Sequence, residues 1–350
     1  MGRELGDSRG GSYGHSYPQI KFGDIVSLEN LVKAWYEFRN GKRSKRDVQE
    51  FEFTLEDSIF ELAEELKNGS YKPQRYHQFR INDPKPRLIS KAAVRDRLVH
   101  HAIYRILYPH FDTSFIFDSY SCRVNKGTHK AFDRLQDMIG VVSRNYTKPC
   151  FALKMDIRRF FDSIDHGILL ELLKYRIEDE KVINLLHEII ESFEVKPGKG
   201  MPIGNLTSQL FANVYMDPLD KFVKHKLKAR YYLRYADDFL ILASSESELM
   251  GCFVEINVFL KETLKLELHP NKISLRKLSW GIDFVGYVAR PHYSVPRNGT
   301  AKRMLRNIGK VADPEKVPAT LDSYLGYLSH VSARKIEDEL RQKAADILGH

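Results

Sequence analysis

Cysteine is scarce in this 350-residue chain: Cys122, Cys150 and Cys252 are the whole set, and they lie far apart. An odd, scattered trio fits neither a disulfide framework nor the spacing of a zinc site. It suits a reducing cytoplasm, with all three expected as small buried side chains. Long apolar runs are missing too. None approaches the roughly 20 residues that a membrane helix needs, so no membrane is expected among the partners. There is no apolar leader: residues 1–17 are rich in Gly, Ser and charge, which reads as a flexible N-terminal arm over 1–20. Internal repeats and long low-complexity linkers are also absent, which leaves an ordinary globular chain.

What the chain has in surplus is positive charge. Lys and Arg outnumber Asp and Glu by 55 to 46, a net charge of +9. That balance suits a polyanionic partner such as nucleic acid, although many basic proteins bind none. With 43% hydrophobic residues the chain is long enough for two or three domains around a substantial core.

Periodicity predicts a helix over 24–41, with Ile25, Leu28, Leu31, Val32 and Trp35 at helical spacing. A second is expected over 54–68, stopped by Asn68-Gly69, and a third over 96–108, ended by Pro109. Prolines make 85–89 extended. In the middle, 151–157 reads as a strand that delivers Asp156 at its end, and 205–226 as a long helix. The aromatic and aliphatic stretch 231–243, broken only by Asp237-Asp238, reads as a hairpin with two acids at its tip. A helix over 247–264, a short strand over 282–288 and a helical unit from Pro318 onward complete the reading. Strands mixed with helices, without regular alternation, give an α+β fold class.

Two adjacent aspartates at the end of an apolar strand need a reason. Charges that close repel, and one acid takes up a proton unless a cation neutralises the pair. A divalent ion does so, and hard carboxylate oxygens suit magnesium. Asp156, at the end of another strand, would complete a two-metal site for phosphoryl transfer. The plain alternative for an isolated Asp-Asp is a solvated turn.

The flanking residues decide between them. Tyr235-Ala236-Asp237-Asp238, with Arg234 before it and Phe239-Leu240-Ile241-Leu242 after it, resembles the Tyr-x-Asp-Asp box of reverse transcriptases. The run from Asp156 through Phe160, Phe161 and Asp162 to Ile164 resembles that family's first carboxylate motif, and similar motifs extend from about Lys85 to Tyr287. The resemblance implies a right-hand polymerase fold: fingers over 21–145, palm over 146–290 and a helical thumb over 291–350. It implies catalysis by Asp156, Asp237 and Asp238 with two Mg2+ ions (Mn2+ also accepts such ligands), and Ile157 joins them as a metal-holding position. Lys272, in Leu268-His269-Pro270-Asn271-Lys272, falls where the family carries a lysine that protonates pyrophosphate.

The same resemblance places Lys85 and Arg87 on the incoming triphosphate, where a guanidinium forks onto phosphate oxygens. Phe161 matches the ring that crowds a ribose 2′-OH. Ile203, Gly204, Gln209 and Tyr235 fall around the same nucleotide. Arg123, Gly286, Tyr287, Lys302 and Arg303 fall on the primer and template, with Arg306 and Lys310 continuing the basic stretch. Solvated surface remains the alternative for the basic loop and that stretch.

Pro202-Ile203-Gly204-Asn205-Leu206-Thr207-Ser208-Gln209 narrows the family further. Group II intron enzymes carry Gln-Gly and Ser-Pro in this region, whereas Ile-Gly and Ser-Gln resemble reverse transcriptases of diversity-generating retroelements. The segment from Asp118 through Arg123 to His129 resembles the same subgroup. That likeness implies copying of a template-repeat RNA into cDNA, with errors at template adenines. The implied partners are the template RNA, the primer strand, deoxynucleoside triphosphates and a small basic accessory variability protein. A solitary or defence-type bacterial reverse transcriptase, a catalytically lost scaffold and a palm-fold nucleotide cyclase are the readings kept beside it.

Overall fold

The computed structural model describes residues 19–82 and 86–349. Of the arm expected over 1–20, residues 1–18 lie outside the described residues, as does Lys85, while Ile20 is buried in the main core.

The N-terminal part is helical: α1 (Phe22–Val26), α2 (Leu28–Arg39), α3 (Arg46–Phe53) and α4 (Leu55–Asn68). The single helix expected over 24–41 is therefore two. Ser27 breaks it with an extended backbone, and its hydroxyl caps α2 by accepting from the Asn30 N–H at 3.2 Å. In α4, Ile59, Leu62, Ala63 and Leu66 form one buried stripe, and Gly69 ends the helix at φ 76, a left-handed conformation suited to glycine. A two-stranded antiparallel hairpin follows, β1 (His77–Ile81) with β2 (Arg87–Lys91).

Helix α5 (Val94–Asp112) runs through Pro109, which was expected to end it. The proline stands three residues from the helix end, so its missing N–H removes a bond only from the last turn. After α6 (Thr128–Val142) the chain enters β3 (Phe151–Asp156), then passes through α7 (Phe160–Ser163), α8 (His166–Lys174), α9 (Glu180–Glu191) and α10 (Leu206–Lys221). The helix expected over 205–226 changes hydrogen-bond pattern at its end, because Pro218 lies within α10 and a π-helical turn spans Phe222–Lys226.

Strands β4 (Tyr232–Tyr235) and β5 (Asp238–Ala243) form the expected hairpin, and α11 (Glu246–Thr263) follows. With β6 (Ser274–Lys277) they build a four-stranded antiparallel sheet in the order β4-β5-β3-β6. The short strand expected over 282–288 is in fact two strands, β7 (Ile282–Phe284) and β8 (Tyr287–Arg290). A two-residue turn at Val285-Gly286 joins them, with φ 43 and 94, the positive pair that a tight hairpin turn takes. Strand β9 (Tyr293–Pro296) completes this smaller sheet. The chain ends in α12 (Asn298–Ile308), α13 (Val317–Leu328) and α14 (Arg334–Leu348).

Strand alternation sends the two faces of the larger sheet to different cores. Leu153, Met155, Tyr232, Phe239 and Ile241 pack into the main helical core. Ala152, Leu233, Leu240 and Leu242 face the other way, against α6 and the β7–β8 hairpin. Met304, Ile308, Val317, Leu328, Leu340 and Ala344 form a third core among α12, α13 and α14. Of the cysteines, Cys150 is buried and Cys252 half-buried, but Cys122 is exposed. It stands at φ 55 in the loop before α6, which turns it outward.

Candidate active site

The second face of the sheet carries the chemistry at one end. Asp156 on β3 and Asp238 on β5 stand directly opposite each other in register, and Tyr235 is opposite Asp238 on β4. That register leaves Ala236-Asp237 as a two-residue turn, with Ala236 held at φ 55, a region non-glycine residues visit rarely. The Ile157 N–H donates to the Asp237 carbonyl at 3.2 Å, and the His269 N–H donates to the Asp156 carbonyl at 2.8 Å. These bonds bring the end of β3, the hairpin tip and the segment carrying Lys272 to one place.

Lysines neutralise two of the acids. Lys272 Nζ lies 2.6 Å from Asp156 Oδ1, and Lys154 Nζ lies 3.0 Å from Asp238 Oδ2. Burial pushes the Asp237 carboxyl above the usual carboxylate range, the charge of Asp156 adds to that, and Lys272 and Arg87 oppose it. Burial likewise raises Asp238, to about 6, against the pull of Lys154.

Among the described residues, no three His, Cys, Asp or Glu side chains converge as a metal-holding group. The three acids still act on one another: the charge of Asp156 raises Asp237, and the charges of Asp156 and Asp237 both raise Asp238, which is also paired with Lys154. The donor chemistry still fits a divalent cation. Asp156 and Asp237 are hard acceptors whose mutual repulsion a cation relieves, and Asp238 Oδ1 is buried with no hydrogen-bond partner.

The other expected residues divide into groups. Arg87 is exposed on β2, and its charge reaches Asp237. Phe161 is half-buried, edge-on to the fully packed Phe160 at 5.4 Å, and its carbonyl accepts from the Met201 N–H at 2.8 Å. That bond ties the ring's position to the loop of Ile203 and Gly204. Gly204 and Gln209 line a cavity of about 420 Å3 with Ile89, Phe79 and Arg97, between β2, α5 and the start of α10. The Tyr235 hydroxyl lies 3.2 Å from that of Thr128.

Arg123, expected on the primer or template, has its guanidinium engaged by the end of α5 and the loop that follows it. Nε donates to Asp112 Oδ1 at 2.6 Å, and Nη1 to the carbonyls of Ile116 at 2.7 Å and Ser119 at 3.1 Å. It braces the chain between α5 and α6. Tyr287 is also fully buried, stacked on Tyr327 at 4.5 Å, with its hydroxyl donating to the Tyr327 carbonyl at 2.8 Å. The space at Gly286 is filled by the Tyr327 hydroxyl rather than left open for a strand. Lys302, Arg306 and Lys310 are exposed and Arg303 half-exposed, on the side of α12 and its end opposite buried Ala301, Met304 and Ile308.

Lys154 escaped the sequence reading, and Arg234 entered it only as a flank of the Asp-Asp motif. Lys154 stands two positions before Asp156, and strand alternation alone puts both on one face. Arg234, a charge inside an apolar strand, is fully buried and paired with Asp220; its lack of apolar character was the available signal.

Paired acids at the meeting of two antiparallel strands, beside lysines, suit a divalent cation. Residues 77–289, well over half of the chain, match the family of reverse transcriptases (RNA-dependent DNA polymerases), and the chain belongs to that family. It is 25% identical over 319 residues to the group II intron-encoded protein LtrA of Lactococcus lactis subsp. cremoris, covering 71% of this chain and 51% of that protein. It is 24% identical over 266 residues to protein YkfC of Escherichia coli K12, covering 65% of this chain and 69% of that one. The chain thus spans about half the length of LtrA. In fold it is similar to telomerase from Candida albicans in complex with a TWJ fragment of telomeric RNA. The TM-score is 0.52 at 13% identity, over 84% of this chain and 59% of that one. The fold is therefore that of the right-hand polymerases, and members of this family use divalent metal ions. No described helix is long and apolar enough to cross a membrane.

Proposed function

We propose that the chain is an RNA-directed DNA polymerase of the diversity-generating type, copying a template-repeat RNA into cDNA with errors at template adenines. The observation that supports polymerisation best is the register of Asp156 opposite Asp238, with Asp237 at the turn between β4 and β5. The subtype rests on Ile203-Gly204 and Ser208-Gln209 and on the segment 118–129.

In this reading Asp156 and Asp237 would hold two Mg2+ ions (or Mn2+) with the help of the backbone at Ile157, and Asp238 would support them from its pairing with Lys154. Such ions, when bound, acidify the attacking primer 3′-hydroxyl and offset charge on the phosphates. The chain's own groups do the rest. Arg87, with Lys85, grips the triphosphate; Phe161 excludes a 2′-OH; Ile203, Gly204, Gln209 and Tyr235 shape the base pocket. The primer 3′-oxygen bonds to the α-phosphorus and gives up its proton to solvent as the bond to pyrophosphate breaks, and Lys272 supplies the proton that pyrophosphate takes. Residues 21–145 act as fingers, 146–290 as palm and 291–350 as thumb, with Lys302 and Arg303 on duplex phosphates. Gly286 and Tyr287 support the primer from beneath through Tyr327. A small basic accessory variability protein and a cytoplasmic location complete the proposal.

Primer extension on an RNA template, with the product sequenced, tests it beside the Asp237→Ala/Asp238→Ala protein. Magnesium-dependent cDNA from the unaltered protein alone is expected, with errors concentrated at template adenines. Accurate cDNA would overturn the subtype and favour the defence-type role. No cDNA in the presence of the accessory protein and its RNA would overturn the polymerase.

A further inference from the structure

Asn205 stands where a capping residue should, and its side chain does not cap. It is the N-cap of α10 and has the extended backbone of that position, yet its side chain takes no bond from the helix's first N–H groups. Asparagine is favoured at such positions because it ordinarily makes that bond. Here the buried side chain turns away instead, and its Nδ2 donates to the Tyr76 hydroxyl at 3.2 Å. A local rule broken at the end of the Ile203-Gly204 loop points to a use elsewhere.

Tyr76 lies at the base of the β1–β2 hairpin. The chain before it is fastened to Asp96, by the Tyr71 hydroxyl at 2.9 Å and the Gln74 N–H at 2.8 Å. Beyond it, four of the five residues of β1 are exposed, so Tyr76 marks the point where the hairpin leaves the body. Its ring lies edge-on to Phe193 at 5.4 Å, and its hydroxyl is 3.3 Å from Ser192 Oγ. Ser192 Oγ already donates to the Ile189 carbonyl at 2.7 Å. The Tyr76 proton therefore goes to Ser192, and a lone pair of its oxygen receives Asn205. The bonds run in one direction, from the loop through Tyr76 to the end of α9.

The loop is tied down on either side of Ile203-Gly204. Before it, the Gly200 and Met201 N–H groups donate to the carbonyls of Ile164 at 2.9 Å and Phe161 at 2.8 Å. After it, the Thr207 hydroxyl lies 2.8 Å from Nδ1 of buried His100. Gly204, at φ 118, sits under β2, where an added Cβ would lie 3.7 Å from Ile89 Cγ2. We infer that Tyr76 is a positioning residue for the incoming nucleotide: through Asn205, its hydroxyl fixes the Ile203-Gly204 loop against the hairpin that carries Arg87. The inference rests on the reading of that loop as part of the nucleotide pocket, and goes beyond it by naming the residue that holds the pocket in shape. Tyr76 acts through Asn205, and the bond is made before any nucleotide arrives. Its loss weakens ground-state and transition-state binding alike, which raises KM and leaves kcat in place.

The test is single-nucleotide incorporation by the full chain on a primed RNA template, with kcat and KM for the deoxynucleotide measured beside Tm. Tyr76→Phe keeps the ring on Phe193 and removes the hydroxyl, which leaves the buried Asn205 amide without that acceptor. KM is expected to rise about tenfold, with kcat changed by less than about twofold. Asn205→Ser is too short to reach Tyr76 but able to cap α10, so KM is expected to rise by a similar factor while Tm holds or rises. Both changes break the same bond, so the double variant is expected to be no worse than either single one. An unmoved KM in Tyr76→Phe would overturn the inference, as would KM losses that add up in the double variant. So would KM rising only where Tm falls, or a fall in kcat at constant KM. Extension by the unaltered chain establishes the polymerase separately, so a KM that does not move in Tyr76→Phe counts against Tyr76 alone.

Discussion

Arg234 and Asp220 form a two-pronged ion pair with neither side chain exposed: Nε lies 2.8 Å from Oδ1, and Nη2 lies 2.7 Å from Oδ2. Burial opposes the guanidinium charge, but the Asp220 carboxylate more than offsets it. The remaining donor reaches further. Nη1 bonds to the Ala236 carbonyl at 3.0 Å and to Asn213 Oδ1 at 3.2 Å. Ala236 is the left-handed residue of the tip, next to Asp237. One buried cation therefore ties α10 to the backbone that presents a candidate catalytic acid.

Arg234→Met is expected to leave the buried Asp220 carboxylate without its counter-charge, held by the Tyr232 hydroxyl at 2.7 Å, at a cost of about 3–5 kcal/mol, seen as a large fall in Tm. Arg234→Met with Asp220→Leu replaces the pair by apolar bulk and is expected to recover much of that stability. Primer extension is expected to stay low in the double variant, because the Ala236 carbonyl has lost its donor. Extension at the unaltered rate in a stable double variant would show that the pair serves folding alone.

Asp238 gives a pH dependence whose sign is fixed by its raised value. Its carboxyl ionises at about 6 in the folded chain because burial disfavours the charge, against about 3.9 in an unfolded one. Between those values the folded state binds the extra proton, so stability falls as pH rises from about 4 to 6. The loss is of the order of 3 kcal/mol. Urea denaturation of metal-free protein across that window, compared with Asp238→Asn, isolates it. The variant is expected to lack this part of the slope; identical slopes would mean that Asp238 is ionised throughout.

How legible was all this in the sequence? The hairpin tip was, because two acids inside an apolar β-pattern have few structural excuses, and β3 was readable for the same reason. Helix α4 was bounded correctly by Asn68-Gly69. The breaks were harder. Ser27 interrupts an unbroken apolar periodicity, and only its capping bond to Asn30 shows why. Pro109 stops nothing, because its effect depends on distance from the helix end. The strand over 282–288 concealed a turn, since Val285 is β-branched and gives no sign of a positive φ. The intramolecular partners of Arg123 and Tyr287 were illegible for a common reason: sequence shows a side chain's chemistry but not whether a neighbour such as Asp112 or Tyr327 engages it.

Ile203 offers a test of fidelity. It is half-buried in the loop that leads to α10, and the Met201 N–H in the same loop is bonded to the Phe161 carbonyl. An apolar side chain beside the base loses the hydrogen bonds that an amide would make, which weakens discrimination. Ile203→Gln is expected to lower misincorporation opposite template adenine about tenfold while leaving other positions nearly unchanged. Sequencing of cDNA from both proteins checks it, and the same error rate in both would remove Ile203 from the account of fidelity.

Gly286 joins the β7–β8 turn to the C-terminal helices. It stands at φ 94, and a Cβ added there would collide with the Tyr327 hydroxyl, whose ring stacks on Tyr287 at 14° between planes. Thr300, at the start of α12, is also in contact range. Gly286→Ala therefore meets two penalties, a left-handed backbone without glycine and a clash with α13, together of the order of 2–3 kcal/mol. Truncating the neighbour removes only the second. Gly286→Ala is expected to lower Tm and weaken primer-template binding, and adding Tyr327→Leu to restore part of the Tm. Because that second change also abolishes the stack on Tyr287, primer-template affinity is expected to stay low. Affinity that recovers along with Tm would mean that Tyr327 merely fills space beneath the turn, with no part in holding the primer.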